Sequence, residues 1–425
     1  RMEQREYRDK YVRQQERLLK RHKLLLQSER LARARQLISL SASLDSALVT
    51  FNNRVKVFID GKKLFQQMIA DFDQAGDHIY VEFYTFYSDN LGKQILAALE
   101  RAAKRGVKVK VLYDLSGSRG TTYKFFAHLE ELGGEAQPFN SKANKRITTP
   151  RLNYHLHRKI VAIDGKLGYI GGFNIGDQYL GEDPKFGYWR DTHLRVAGQA
   201  VIALTARFGM DWNTTCRKTK KERVDLDKLL ADLEIKRPSD PGQDVAMQIV
   251  SSGPDNDNFA IRRAYESIIS SARQYVYIQT PYLIPGEPIL ESLIIAARSG
   301  IDVRVMIPCM PDHPFVYRAT EYYAKYLVNN KVKVYKYNNG FIHAKTMVSG
   351  NNLASVGSAN QDYRSYRLNF EANAFTYNEE LTAQLKQIFE NDIQDSTLLT
   401  PEYFDQQSNW RKFKQYFSRL LSPVL

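Results

Sequence analysis

Alternating and helical hydrophobic patterns follow one another along this chain, and the same succession occurs twice. His78-Ile79-Tyr80-Val81-Glu82-Phe83-Tyr84 concentrates β-branched and aromatic residues and predicts a strand. Over residues 91–104 the apolar positions Leu91, Ile95, Leu96, Leu99 and Ala102 recur at helical spacing on one face. Gly106 stops that helix, and Val107-Lys108-Val109-Lys110-Val111-Leu112 begins the next strand. Strand, helix, strand of this length is a βαβ unit and predicts an α/β fold.

The pattern returns with Gln274-Tyr275-Val276-Tyr277-Ile278-Gln279 as a strand and 289–298 as a helix carrying Leu290, Leu293, Ile294 and Ala297. Gly300 ends it, and Ile301-Asp302-Val303-Arg304-Val305-Met306 reads as the next strand. Matching Tyr80 to Tyr275 gives an offset of 195 (275 minus 80), and Gly106 to Gly300 gives 194 (300 minus 106). A repeat that long means duplicated domains rather than a short-period solenoid. Charged and Pro/Gly-containing words near Lys218-Thr219-Lys220-Lys221 and Arg237-Pro238-Ser239-Asp240-Pro241-Gly242 mark a linker. The expected organisation is an N-terminal segment over 1–49, a first domain over 50–217, a linker over 218–243 and a second domain over 244–425.

Composition sharpens this. Of 425 residues, 43% are hydrophobic and 25% charged, which excludes wholesale disorder and collagen-like repeats. With 61 Lys+Arg against 47 Asp+Glu the net charge is +14, favouring polyanionic partners: nucleic acid or a phosphate-bearing membrane face. Residues 1–36 hold 12 Lys/Arg and 5 Asp/Glu, a net of +7, and read either as a solvated helix or as a basic juxtamembrane segment. Cys216 and Cys309 stand far apart, so neither a disulfide framework nor a cysteine zinc site is expected. No stretch reaches the roughly 18 apolar residues of a membrane span. The chain opens Arg1-Met2, as a fragment would, and any spans are expected to be missing from it.

The chemistry lies at matching places. His157-Arg158-Lys159 is followed by Asp164 and Gly171-Gly172-Phe173-Asn174; His343-Ala344-Lys345 is followed by Gly350 and Gly357-Ser358-Ala359-Asn360. Both His-to-His (343 minus 157) and Asn-to-Asn (360 minus 174) offsets are 186. Strand period puts each His and Lys on one face, and the small residues before each Asn are expected to let the backbone approach a ligand closely. Two imidazoles, two ammonium groups and two carboxamides suit a phosphodiester: one His attacks phosphorus and the other protonates the leaving alkoxide. Lysines and asparagines would hold the non-bridging oxygens. Neither metal nor cofactor is required. A single His-x-Lys would mean little, being an ordinary strand edge, but its repetition with the Gly-[Gly/Ser]-x-Asn word is hard to assign to chance. Metal chelation by His155 and His157 has no further ligand nearby in sequence to support it.

The doubled His-x-Lys-x4-Asp-x6-Gly-Gly/Ser-x-Asn arrangement resembles the phospholipase D superfamily, and its surroundings resemble bacterial cardiolipin synthases. The resembling words are 153–160 (NYHLHRKI), 170–177 (IGGFNIGD), 189–193 (WRDTH), His343-Ala344-Lys345-Thr346, Arg364-Ser365, Leu368-Asn369-Phe370-Glu371 and the ending 419–423. The resemblance runs from about residue 50 to the C-terminus. It implies two phospholipase D-like α/β domains, mixed sheets flanked by helices, related by a pseudo-two-fold axis around one cleft. It implies transfer of a phosphatidyl group between two phosphatidylglycerol molecules through a phosphatidyl-histidine, with His157 as nucleophile and His343 as general acid, then base. Lys159, Lys345, Asn174 and Asn360 would bind the phosphate, and Asp164 completes the first motif; Asp191 and Glu371 would orient the imidazoles, where an acceptor on one ring nitrogen sets the tautomer.

Gly350 stands where the second motif should carry Asp; an Asp at such a turn can serve by accepting backbone hydrogen bonds. Glu82 either faces the site or pairs with a basic group. Gly117-Ser118-Arg119-Gly120 lacks the P-loop ending. Residues 410–425 interleave Trp410, Phe413, Phe417 and Leu420 with Arg411, Lys412, Lys414 and Arg419, which suits either a membrane interface or a terminal helix packed on the second domain. The expected partners are phosphatidylglycerol and anionic membrane lipid, not nucleic acid, at the cell membrane with the catalytic domains on the cytoplasmic side. The competing readings are a phosphodiesterase or nuclease of the same superfamily and a catalytically idle membrane-binding protein.

Overall fold

The computed structural model describes residues 29–139, 154–231, 244–350 and 352–420. The first half supplies β1 (Arg54–Phe58), β2 (His78–Phe83), β3 (Lys108–Asp114), β4 (Glu135–Phe139), β5 (Lys159–Ile163), β6 (Leu167–Gly171), β7 (Trp189–Arg190) and β8 (His193–Ala197). The second supplies β9 (Ala246–Ser252), β10 (Tyr275–Gln279), β11 (Leu283–Ile284), β12 (Asp302–Pro308), β13 (Lys333–Tyr337), β14 (Phe341–Ile342), β15 (Thr346–Ser349), β16 (Leu353–Gly357), β17 (Gln361–Asp362), β18 (Glu371–Tyr377) and β19 (Ser396–Leu398).

One sheet runs β1-β8-β6-β5-β2-β3-β4 and the other β9-β18-β16-β15-β10-β12-β13-β19, so the second repeats the first and adds one edge strand. In each, three neighbours are parallel (β2-β3-β4 and β10-β12-β13) and the rest pair antiparallel. The expected mixed α/β sheets are therefore present, twice. Register corrects one detail. Ile160 lies opposite Glu82 and Thr346 opposite Gln279, each one residue after the motif lysine, so Glu82 corresponds to Gln279 and Tyr80 to Tyr277. The strand offset is 197 (277 minus 80), not 195. A two-residue slip leaves the same faces in register, so hydrophobic alternation cannot reveal it.

Helices α1 (Arg35–Asp45), α2 (Gly61–Gln74), α3 (Asn90–Lys104), α4 (Ala200–Thr215), α5 (Ala260–Ser271), α6 (Gly286–Arg298), α7 (Pro314–Val328), α8 (Glu379–Gln394) and α9 (Asn409–Leu420) flank the sheets. Leu64, Met68, Ile95 and Leu99 cover the first sheet, and Ile261, Ile268, Ile289 and Leu293 the second. A third core joins the halves, bringing Ile160, Ile170 and Leu194 together with Met247, Val356 and Ala374. Burial of that apolar surface fixes the halves against each other.

The basic segment expected over 1–49 is not peripheral throughout. Residues 1–28 lie outside the described residues, but Leu31, Ala34, Leu37 and Ile38 enter the second half's core beside Ala246, Val250 and Ile261. Gln248 reinforces the join by donating to the Ile38 and Ala47 carbonyls at 3.2 and 2.7 Å. The linker expected over 218–243 likewise begins as packed chain: Val224 and Leu226 are buried, and Trp212 Nε1 donates to the Glu222 carbonyl at 3.0 Å. Residues 232–243 lie outside the described residues. Among the described residues no helix is long and apolar enough to cross a membrane.

Candidate active site between the halves

Each motif histidine sits where its chain crosses to the other half. His157 N donates to the Phe370 carbonyl at 2.9 Å, and Phe370 N to the His155 carbonyl at 2.8 Å. At the related place β14 pairs with β7; Phe341 N donates to Tyr188 at 2.9 Å and His343 N to Arg190 at 2.7 Å. The residue after each crossing is thereby delivered to the opposite half. Glu371 places Oε1 and Oε2 at 2.9 and 3.0 Å from His157 Nδ1, and Asp191 places Oδ2 at 2.6 Å from His343 Nδ1. A carboxylate accepting from Nδ1–H leaves Nε2 with its lone pair free for chemistry.

Both carboxylates are fully buried. Burial raises their proton affinity, but the adjoining lysines and imidazoles outweigh it, and both end below the ordinary carboxylate range. Ser358 and Ser365 hydroxyls donate to Glu371 at 2.5 and 2.9 Å, and Thr192 N to Asp191 at 2.7 Å. This explains the small residues before the motif asparagines differently from the expectation. A Cβ on Gly172 would lie 2.1 Å from Asp191 Oδ1, and one on Gly357 2.2 Å from Asn373 Oδ1. The space admits the neighbouring strand's side chains; no ligand is needed to account for it.

Lys159 donates to the His157 carbonyl at 2.6 Å, with its ammonium 5.4 Å from the Tyr84 ring centre. Lys345 donates to the His343 carbonyl and lies 2.7 Å from His343 Nδ1. Burial is the largest influence on all four groups. It lowers Lys159 to about 7 and Lys345 to about 8, and both imidazoles to about 4, with the lysine charges pushing the same way on the rings. The resting imidazoles are therefore neutral near pH 7. Tyr84 and Trp189 wall the two rings, at 4.9 Å from His157 and 5.1 Å from His343. Asn174 Oδ1 accepts from Thr85 N at 3.1 Å. The Asn360 amide donates one hydrogen bond to Asp362 at 3.0 Å.

The sequence family described as "Cardiolipin synthase, PLD-like domain" matches residues 68–186 and 265–393. A cardiolipin synthase of Listeria innocua is 49% identical over 392 residues, 92% of this chain and 79% of that protein. Cardiolipin synthase 1 of Staphylococcus epidermidis is 44% identical over 398 residues, 94% of this chain and 79% of that protein. The chain belongs to the cardiolipin synthase family. It is a phosphatidyltransferase of the phospholipase D superfamily. A phosphatidylserine synthase from Haemophilus influenzae shares its fold with a TM-score of 0.68 at 14% identity, covering 92% of this chain and 100% of that one. A polyphosphate kinase from Porphyromonas gingivalis superimposes more loosely, with a TM-score of 0.53 at 13% identity over 85% of this chain and 52% of that one.

Within this family framework, Asp164 departs from its expected place among the reacting groups. It lies at the far end of β5, about 16 Å of extended chain from Lys159. Its carboxylate accepts from Gly76, Asp77 and His78 N at 2.9, 2.8 and 2.9 Å. Gly350 occupies the related turn, keeps one bond (its N to the Tyr275 carbonyl, 3.2 Å), and leaves little room: a Cβ would meet Gln274 at 3.1 Å. The departure from the motif is thus a difference in turn stapling, remote from the imidazoles.

Glu82 meets neither expectation: it does not face the motif lysine, and among the described residues no hydrogen bond or ion pair to a basic group holds its carboxylate. Buried on the strand face opposite Lys159, it is pushed well above the carboxylate range by burial and by Asp211, against the pull of Arg158 and Arg207. Arg158 donates to Asp211 and to the Glu371 and Ser252 carbonyls (3.1 and 3.3 Å). The second half repeats the slot with different suppliers: Gln279 for Glu82, Asp392 for Asp211, and Arg190, from the first half, for Arg158. Each buried guanidinium ties one crossing to a helix, α4 or α8. Sequence reasoning missed both, because the arginines come from non-equivalent positions, one within His-x-Lys and one before Asp191.

Proposed function

We propose that the enzyme makes cardiolipin from two phosphatidylglycerol molecules through a phosphatidyl-histidine on His157. The supporting observation is the crossed pairing of each imidazole Nδ1 with the other half's carboxylate, beside two buried lysines, which leaves each Nε2 for the chemistry. His157 Nε2 attacks phosphorus, the P–N bond forms, and the P–O bond to glycerol breaks as His343 supplies the alkoxide's proton. His343 then takes the proton from the acceptor's glycerol hydroxyl, whose oxygen attacks phosphorus and releases His157. Lys159 and Lys345 neutralise the non-bridging oxygens. The bound phosphate's negative charge strengthens the proton affinity of His343, fitting it to act as the acid. Assignment of the nucleophile follows the family pattern, since the two ring environments are nearly symmetric. Transfer prevails over hydrolysis to the extent that the cleft keeps water from the intermediate. The lipid substrates and the +14 charge support a location at the cell membrane, with the catalytic domains on the cytoplasmic side.

The test uses phosphatidylglycerol labelled in its phosphatidyl phosphate, EDTA, and mass spectrometry of lipids and acid-quenched peptides. Cardiolipin, with a labile adduct on the His157 peptide that is absent from His157→Ala, is the expected result. Phosphatidic acid as the only product would identify a hydrolase, and an adduct on His343 would reverse the two roles.

A further inference from the structure

Helix α9 is mounted the opposite way round from an ordinary surface helix. Its buried positions are polar: Gln415 and Ser418 are enclosed, and Arg411 and Gln415 donate to the buried Glu321 of α7. Its apolar positions face outward: Trp410 is 64% exposed, Phe413 57% and Leu420 73%, with Phe417 between them. Residues 410, 413, 417 and 420 fall on one side of a 3.6-residue helix, and 411, 415 and 418 on the other. The outward rings form a stacked stripe, Trp410 on Phe413 and Phe413 on Phe417. Cations border it: Lys414 lies over Trp410 at 5.2 Å, and the exposed Arg419 lies over Tyr322 at 5.1 Å. A contiguous exposed aromatic stripe bordered by cations is the pattern of a surface that enters a lipid interface, with rings at headgroup level and ammonium groups on phosphates.

Helix α7, on which α9 packs, leads back toward the motif residues. Helix α7 starts just after Asp312, which accepts from Tyr282; Tyr282 precedes β11, and β11 pairs with β17 next to Asn360. Phe315, in the first turn of α7, is 56% exposed. We infer that α9 is a membrane-docking element that seats the aromatic stripe in an anionic bilayer surface. The inference rests on the lipid-transfer reading for the nature of that surface. The stripe's own charge complementarity to anionic headgroups decides against a second copy of the chain as occupant.

Of the three tryptophans, Trp189 and Trp212 are buried and Trp410 is exposed, so the part of an emission change that Trp410→Phe removes reports docking. The full chain is titrated with vesicles of phosphatidylglycerol and phosphatidylcholine, with and without brominated acyl chains. A blue shift with bromine quenching, absent from Trp410→Phe and weaker on phosphatidylcholine alone, is expected. Phe413→Ser with Phe417→Ser should weaken that signal about tenfold or more, and Lys414→Glu should weaken its dependence on phosphatidylglycerol. Turnover of detergent-dispersed phosphatidylglycerol should stay unchanged in the double variant while turnover on vesicles falls. An unshifted emission, an undiminished affinity in the double variant, or a dimer that the double variant dissociates without any vesicle signal would overturn the assignment. Because the Trp410 signal needs no turnover, absence of cardiolipin synthesis would count against the catalytic reading and leave the docking result standing.

Discussion

A histidine that attacks phosphorus must be neutral, and the lysines beside it must be charged; burial helps the first requirement and strains the second. Both imidazoles lie well below their ordinary pKa, so the nucleophile is available at neutral and mildly acidic pH. Lys159 and Lys345, lowered to about 7 and about 8, lose their protons as pH rises through that range, and the empty site loses its hold on a phosphodiester. The expected outcome is an alkaline fall in kcat/KM between these values, far below the ordinary lysine value of about 10.4. Bound phosphate restores the protons, so kcat should fall at higher pH. Lys159→Arg, permanently charged, should carry the kcat/KM limb upward. A pH profile on dispersed phosphatidylglycerol measures this, and a limb near the ordinary lysine value would refute it.

Turns and crossings set what each element contributes. The β5–β6 turn is stapled by Asp164, whose partly exposed carboxylate is raised by burial but lowered further by three backbone N–H donors and His78. With its folded pKa depressed, its stabilisation is present above the unfolded value of about 3.9 and disappears as pH falls through the folded value. Asp164→Ala should therefore lower unfolding free energy by on the order of 2 kcal/mol at neutral pH, read from a urea midpoint, with the folded fraction's kcat nearly unchanged. A hundredfold loss of kcat at unchanged stability would instead return Asp164 to the chemistry. The doubled His-x-Lys words and the two βαβ units were legible because strand and helix periods are local. That a motif Asp can serve its turn by accepting backbone hydrogen bonds was legible too; which donors it takes was not, because those at 76–78 sit 86 to 88 residues away.

At the scale of the whole molecule, neither half holds a motif histidine together with its carboxylate partner. His157 pairs with Glu371 and His343 with Asp191 through two crossings, one in the shared core at Leu156 and Phe370, the other packed around Trp189 and Phe341. A mixture of His157→Ala and His343→Ala proteins should thus recover no activity, since each chain needs both histidines in its own cleft. Recovery on mixing, measured as cardiolipin formed, would show that halves exchange between chains.

The sequence by itself determined the duplication, the α/β class and the doubled His-Lys words that we propose react, since side-chain type and strand or helix period are written over a few consecutive residues. Tertiary structure alone decided which carboxylate serves which histidine and where the buried arginines act. Those pairs lie 214 and 152 residues apart and belong to opposite halves. No local period records a contact of that span; it exists only once burial of the shared core has brought the two strand crossings together.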